Sequence, residues 1–279
     1  MHSGEPSRTA WAAAFHRAAH QVLEHGDIFA DPLAVRILNR DRATIAREAE
    51  ERGSDRRMRM FIAVRTRFAE DALATAYEKG VRQLVVLGAG LDTYAYRGAL
   101  RDRLRIWEVD HPATQAWKRQ RLADSGIPLP ANLTFAPVDF ERETLADGLA
   151  SAGFDPREPS FFTWLGVVPY LTGEAIWSTL GYVASLPGIA HVVFDYADPP
   201  ESLSPEMQAA HERRAARVAA AGEAFRSFFE AETLRARLID LGFREVEDLG
   251  PPGIAARYFP DRVGSVPERG GHVVWASTV

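Results

Sequence analysis

The sequence predicts an α/β fold with a mostly parallel, doubly wound sheet, an antiparallel last strand and an N-terminal helical cap. Three observations predict it. From about residue 81 short apolar runs alternate with helical stretches, the pattern of βαβ units. Most of those runs end in glycine or aspartate, at Gly88-Ala89-Gly90, Asp110, Asp139 and Asp195. The first 80 residues carry only helical spacing.

The elements follow in order. Ala10, Ala14, Ala18 and Val22 recur near helical spacing, and Asp31-Pro32 reads as an N-cap with Pro at N1, opening a short helix through Leu38. Residues 41–52 read as a polar helix, and Met58 to Tyr77 as a longer one stopped by Lys79-Gly80. Strands are expected at Gln83–Leu87, Arg105–Val109, Leu133–Val138, Ser160–Leu165, Ile189–Phe194, Phe243–Glu247 and His272–Ser277. Helices are expected up to Ser125, over Gly173–Ser185, and around 205–221 and 230–241. Gly250–Gly271 is rich in Gly and Pro without a helical period, so the final strand should turn back antiparallel. That long loop and the N-terminal helices form the expected lid.

Composition narrows the function. The chain has 279 residues, 46% hydrophobic and 25% charged, ordinary for a globular protein. We read it as one domain over 1–279, with a cap at 1–80 and a core at 81–279. No apolar window reaches a membrane-spanning length and the N-terminus has no apolar signal region, so no membrane partner and a cytoplasmic location are expected. The absence of cysteine excludes disulfides, thiolate catalysis and cysteine-held metals. A net charge of −5 argues against a nucleic-acid partner. Lysine occurs only at Lys79 and Lys118, so arginine is the background cation. The cluster Arg52, Arg56, Arg57, Arg59, Arg65 and Arg67 is therefore read as a solvated helix face, Arg65 apart. His16 and His20, at i, i+4, are read as helix-surface residues, and no metal is expected.

In open α/β sheets ligands bind beyond the carboxyl ends of the strands. A glycine turn lets a ligand approach bare backbone, and an acid 20 residues after Gly90 is placed for ribose hydroxyls. A dinucleotide needs a third glycine and a pyrophosphate at the helix start. Here Thr93 occupies the glycine position and Asp92 would repel the phosphates. A phosphate-free nucleoside such as S-adenosylmethionine tolerates Asp92, which otherwise reads as a helix cap.

QLVVLGAGLDTYAYR at Gln83 to Arg97, with Glu108-Val109-Asp110-His111-Pro112, resembles the leucine carboxyl methyltransferase family. Asp31-Pro32-Leu33-Ala34, Arg65-Thr66-Arg67, Val138-Asp139-Phe140, Gly166-Val167 with Tyr170-Leu171, and Gly222-Glu223 extend the likeness over most of the chain. The resemblance implies a Rossmann-like class I methyltransferase fold and an S-adenosylmethionine-dependent O-methyltransferase, some members acting in polyketide biosynthesis. It implies that Arg65 holds the methionyl carboxylate, that Gly88, Ala89 and Gly90 line the turn, and that Asp110 takes the ribose, with Glu108 able to share that role. Asp139 and the Phe140 amide would read the adenine. Leu165 stands where some relatives carry a glutamate in the cofactor site.

Methyl transfer needs alignment and exclusion of water. Tyr94, Trp164, Tyr170, Tyr196 and Glu223 are the candidate substrate contacts, set against core packing for the aromatics and an arginine pair for Glu223. Asp195-Tyr196 reads equally as pocket lining or as a turn. A carboxylate acceptor is already ionised at pH 7 and would want an arginine to position it. A phenol or nitrogen acceptor, and a catalytically silent cofactor-binding protein, are the alternatives. No catalytic residue is assigned, and His111 is read as a cap of the following helix. The partner is a small-molecule acceptor, and the oligomeric state is open.

Overall fold

The computed structural model describes residues 7–51, 53–139, 143–220 and 222–279. Seven strands form one sheet: β1 Gln83–Leu87, β2 Arg105–Asp110, β3 Leu133–Pro137, β4 Ser160–Trp164, β5 Ala190–Ala197, β6 Glu245–Leu249 and β7 Gly271–Ser277. Their order is β3-β2-β1-β4-β5-β7-β6. Strands β1 to β5 pair in parallel, and β7 lies antiparallel between β5 and β6. The order reverses between β1 and β4, the place where open α/β sheets take their ligands, and Gly88 follows β1 there.

Each face of the sheet carries its own apolar layer. α1 Arg8–Leu23, α2 Arg42–Glu51 and α3 Arg56–Glu78 form the cap, with Phe15, Ala18, Ile45, Phe68 and Leu73 buried against Leu84, Val86, Phe161 and Val193. α5 Pro112–Asp124 contributes Leu122 to the same side. On the other face α6 Leu145–Ser151, α7 Gly173–Ala184 and α9 Ala231–Leu241 pack Leu149, Ile176, Leu180 and Leu238 onto Val85, Phe162, Val192 and Phe194. Alternate residues of one strand therefore serve opposite layers, the period-two rule. α8 Pro205–Ala220 buries no residue fully.

Start and stop signals explain the boundaries. Asp55 caps α3 through Arg57 N–H, and its end is released at Gly80 with φ +103°. His111 caps α5 by accepting from Ala113 N–H, with Pro112 at the first position, as expected. Four readings need correction. The stretch after Asp31 is turn followed by one 3₁₀ turn, Arg36–Leu38, because Asp31 accepts from Leu33 N–H and holds a turn instead of a full helix. β5 runs through Asp195 and Tyr196 to Ala197, since its partner β7 extends to Gly271. β6 begins two residues later than expected. The Gly250–Gly271 segment contains a helix, α10 Pro251–Tyr258, too short to display a period; two prolines open it and Ile254 and Ala255 are buried. Its Arg257 reaches over the Phe68 ring of α3, so this part of the expected lid is fastened to the cap side of the sheet.

The cap histidines also depart from expectation. His20 is fully buried and sits 3.4 Å from Glu24, which Arg59 grips at 2.6 Å. Arg59 is thus a buried ion-pair residue, while Arg67 pairs with Asp71 on the exposed face. Arg52 lies outside the described residues. No helix among the described residues is long and apolar enough to cross a membrane.

Buried His191 on β5 stacks between Phe161 and Trp275 at 6.1 and 5.8 Å. Burial, helped by the charge of Lys79, lowers its pKa from 6.5 to about 4. The unfolded chain then binds a proton that the fold refuses, so stability declines as pH falls from 6.5 to about 4. His191→Phe keeps the stack without the titration. Thermal unfolding across that range should show a shallower acid slope for the variant than for the wild type; equal slopes would contradict this reading.

Candidate cofactor and acceptor site

The turn after β1 is built for close approach. Gly88 and Gly90 hold φ of +62° and +44°, the left-handed region that side chains disfavour. A Cβ on Gly88 would lie 2.4 Å from Val167 Cγ2, and one on Gly90 2.9 Å from Ala10 Cβ. Bare main chain is thus met from above by α1 and by the segment after β4. Ala89, also buried, donates its N–H to Val109 O at 3.1 Å, which docks the turn on β2. Asp92 accepts from Tyr94 N–H at 2.7 Å and caps the short α4, Tyr94–Arg97. A carboxylate at that helix start leaves no place for a pyrophosphate.

Asp110 ends β2 beside the turn. It accepts from Gly90 N–H at 2.6 Å and His111 N–H at 2.7 Å. Burial raises its pKa, and those two amides oppose the rise. Asp139 is half-buried one strand further on, and the preceding Val138 donates its N–H to Asp110 O at 3.0 Å. Asp139 therefore follows the residue joined to Asp110, one strand further from the turn. Phe140 lies outside the described residues. Glu108 is a correction: its side chain is fully buried, 2.7 Å from Lys118 Nζ and within reach of Tyr96 Oη, so it is committed to α5 and not to a ribose. Burial pushes Glu108 up to about 7 despite Lys118.

Arg65 projects from α3 toward the switch in strand order. Its Nη1 donates to Asp195 at 2.7 Å, and Asp195 also accepts from Gly166 N–H at 2.5 Å. Gly166 holds φ +74°, which disfavours a side chain, and a Cβ there would stand 2.7 Å from Arg65 Nη2. Nε of Arg65 is buried without a hydrogen-bond partner. A buried donor left unpaired is costly unless a ligand meets it. Leu165, next to Gly166, packs partly buried against the cap-side core.

The acceptor side gathers around Tyr170. Its ring stacks on Phe225 at 5.3 Å, and its hydroxyl lies in the fields of Arg65, Glu223, Asp195 and Arg214. Burial pushes Tyr170 up to about 12. Phe225 in turn stacks on His211 at 5.6 Å. Arg226 N–H on Pro169 O and Ser227 Oγ on Leu171 O strap this segment to the Tyr170 turn. Glu223 reaches across to the N-terminal segment. It accepts from Arg8 N–H at 3.1 Å, Ser7 Oγ at 3.1 Å and Thr9 Oγ1, tying down the start of α1.

Three of the five candidate acceptor contacts sit elsewhere. Tyr94 is buried in the cap-side core with its ring against Gly98. Trp164 faces the opposite layer, edge-on to Phe194. Tyr196 also faces that layer, because Asp195 beside it points to Arg65; its hydroxyl bonds Asp248 at 2.6 Å and its ring stacks on His272 at 4.6 Å. Arg214 and His211 were missed, whereas Phe225 belongs, with Phe228 and Phe229, to the aromatic cluster that the sequence places after Glu223. For those two the only sequence signal was i, i+3 spacing of His211 and Arg214 on α8, near the Phe225 cluster. Among the described residues no group of three or more His, Asp or Glu is placed to hold a metal ion.

The residues fit a phosphate-free nucleoside with an amino-acid tail: bare backbone, an acid for paired hydroxyls, and a guanidinium with a free donor. A seven-strand sheet of this order with such a turn defines a nucleoside-cofactor enzyme of the class I methyltransferase type. A candidate methyltransferase of Thermobifida fusca YX superposes on 99% of the chain and 96% of its own, with TM-score 0.59 at 16% identity, which supports the fold. YktD of Bacillus subtilis (strain 168), named as a candidate S-adenosyl-L-methionine-dependent methyltransferase, is 30% identical over 94% of both chains. A similarly named protein of Frankia alni is 32% identical over 65% of this chain and 66% of its own. The leucine carboxyl methyltransferase family model matches residues 10–184. The chain belongs to the leucine carboxyl methyltransferase family, and it is an enzyme of the methyltransferase class.

One buried ion network holds the cap to the turn. Asp31 pairs with Arg17 at 3.1 Å and Arg97 at 3.3 Å and accepts from Thr93 Oγ1 at 2.6 Å, while Arg17 donates to Leu91 O at 2.5 Å. Asp31→Ala should lower stability in urea by about 3–5 kcal/mol, because buried Arg17 loses its carboxylate partner and Arg97 keeps only Glu70. An unchanged urea midpoint would contradict this.

Proposed function

We propose that the chain methylates the carboxylate of a small molecule, with S-adenosylmethionine as donor. Donor and reaction class rest on family membership; the acceptor is the proposed part. The charge around Tyr170 carries this reading. Arg65 is paired with Asp195, Glu223 accepts from Ser7, Arg8 and Thr9, and Arg214 makes no ion pair among the described residues, which leaves its guanidinium open to a ligand. An anionic acceptor answers it.

In this reading Arg65 holds the methionyl carboxylate through its free Nε, Gly88, Ala89 and Gly90 lie under the donor, and Asp110 takes the ribose. Asp139 borders the adenine, and Leu165, beside Gly166 and Arg65, lies at the methionyl end. Bound S-adenosylmethionine supplies a methyl group on a cationic sulfur. The protein's own work is to hold the acceptor in line, exclude water with α1 and Val167, and leave a carboxylate oxygen free to attack. No general base is needed, because the acceptor is ionised at neutral pH. Polyketide-like acids fall within this acceptor class. The reading includes a single cytoplasmic domain over 1–279 and no membrane or nucleic-acid partner. A phenolic acceptor is the second reading. His211 favours it, since burial and Arg214 lower its pKa and leave a neutral imidazole on the Phe225 ring.

Labelled methyl groups from S-adenosylmethionine should appear in metabolite extract as base-labile esters that release methanol in alkali. Alkali-stable label would overturn the carboxylate reading. Arg65→Met should weaken S-adenosylhomocysteine binding about tenfold or more in calorimetry, roughly 1.4 kcal/mol. Unchanged affinity would remove Arg65 from the donor site.

A further inference from the structure

Arg214 is a cation without an ion pair among the described residues. It projects from α8, half-buried, and its Nε is shielded from solvent without a hydrogen-bond partner. Among the described residues it forms no ion pair; Tyr170, Asp55 and Arg217 act on it only through their fields. Its guanidinium carbon lies 5.8 Å from the centroid of Phe225, the ring that stacks on Tyr170 with 26° between planes. The acid whose field reaches Arg214 is Asp55, the N-cap of α3, which accepts from Arg57 N–H.

We propose that Arg214 grips one oxygen of the acceptor's carboxylate, and that the Tyr170–Phe225 stack receives a flat aromatic body attached to it, so that the acceptor is an aryl carboxylic acid. This rests on the carboxylate reading above. A grip through Nε on one oxygen leaves the second with its lone pair exposed. That oxygen forms the new O–CH₃ bond while the C–S bond breaks, the electron pair stays on sulfur, and no proton moves. Flat aromatic surfaces suit the stack, since offset rings gain from face contact beyond simple burial. Arg214 is a substrate-binding residue with a stated ligand atom, and its neighbour Arg213 is exposed and serves as the control.

The test uses the full chain saturated with S-adenosylhomocysteine and ligand-observed NMR. The probes are benzoate, phenylacetate and cinnamate, their primary amides, and cyclohexanecarboxylate. The wild type and Arg213→Met should bind the aryl acids, with the amides and cyclohexanecarboxylate at least about tenfold weaker. Arg214→Met and Arg214→Gln should lose about tenfold or more for the aryl acids while keeping wild-type affinity for S-adenosylhomocysteine, which shows that they fold; Arg214→Lys should recover part of the loss. In turnover with an aryl acid the loss should fall on KM more than on kcat. Aryl-acid binding unchanged in both Arg214 variants overturns the assignment. Cyclohexanecarboxylate binding as tightly as benzoate overturns the aromatic body. Methyl esters formed with an unchanged KM by Arg214→Met sink this inference and leave the carboxylate reading standing. Ethers formed from phenols, with no ester from any acid, sink both.

Discussion

The structure depends on keeping a stretch of main chain bare inside a packed interface. The turn at Gly88 to Gly90 must carry no side chains at its two ends, because Val167 and Ala10 pack where their Cβ atoms would stand, and the surrounding elements must stay fixed. Glycine supplies the first condition through positive φ at both ends. The second comes from charge. Asp31 gathers Arg17, Arg97 and Thr93 at one buried point, and Arg17 reaches on to Leu91 O. A cap made of three helices is thereby locked to the residues that follow the glycine turn. Buried ion networks of this kind specify an arrangement more than they stabilise it, because desolvation offsets much of the attraction. Here the arrangement specified is α1 lying over the turn, with Glu223 holding its first residues from the far side of the site.

Much of this was legible because it is local. Strand β1 is a run of five apolar or amide residues ended by glycine, and its bounds were read as they stand. Helix α5 begins with a histidine cap and a proline, which need no tertiary information. The antiparallel last strand followed from the absence of a period in Gly250–Gly271, although the segment holds the eight-residue helix α10. A helix of two turns opened by two prolines has too few positions to reveal a face.

What sequence could not supply was the direction of side chains at strand ends. Asp195 and Tyr196 read as one unit at the end of a strand. Inside a strand they must point apart, and the pairing with β7 carries β5 past both. Asp195 goes to Arg65, and Tyr196 goes to the opposite layer with Asp248 and His272. Trp164 was misplaced by the same geometry. Glu108 was read as facing the ribose because it shares a strand side with Asp110, but position along the strand decides: two residues back, it is sealed against Lys118. Arg214 was hidden for another reason. In a chain with two lysines, one more arginine on a polar helix carries no signal until its missing partner is seen.

The central claim is that the bare turn and Asp110 hold a phosphate-free nucleoside. Titration calorimetry of the wild type and Asp110→Ala with S-adenosylhomocysteine and with NAD tests it most directly. The account predicts one S-adenosylhomocysteine per wild-type chain, binding weakened about tenfold or more by the substitution, and no heat from NAD. Saturable NAD binding, or equal S-adenosylhomocysteine affinity in the two proteins, would contradict it.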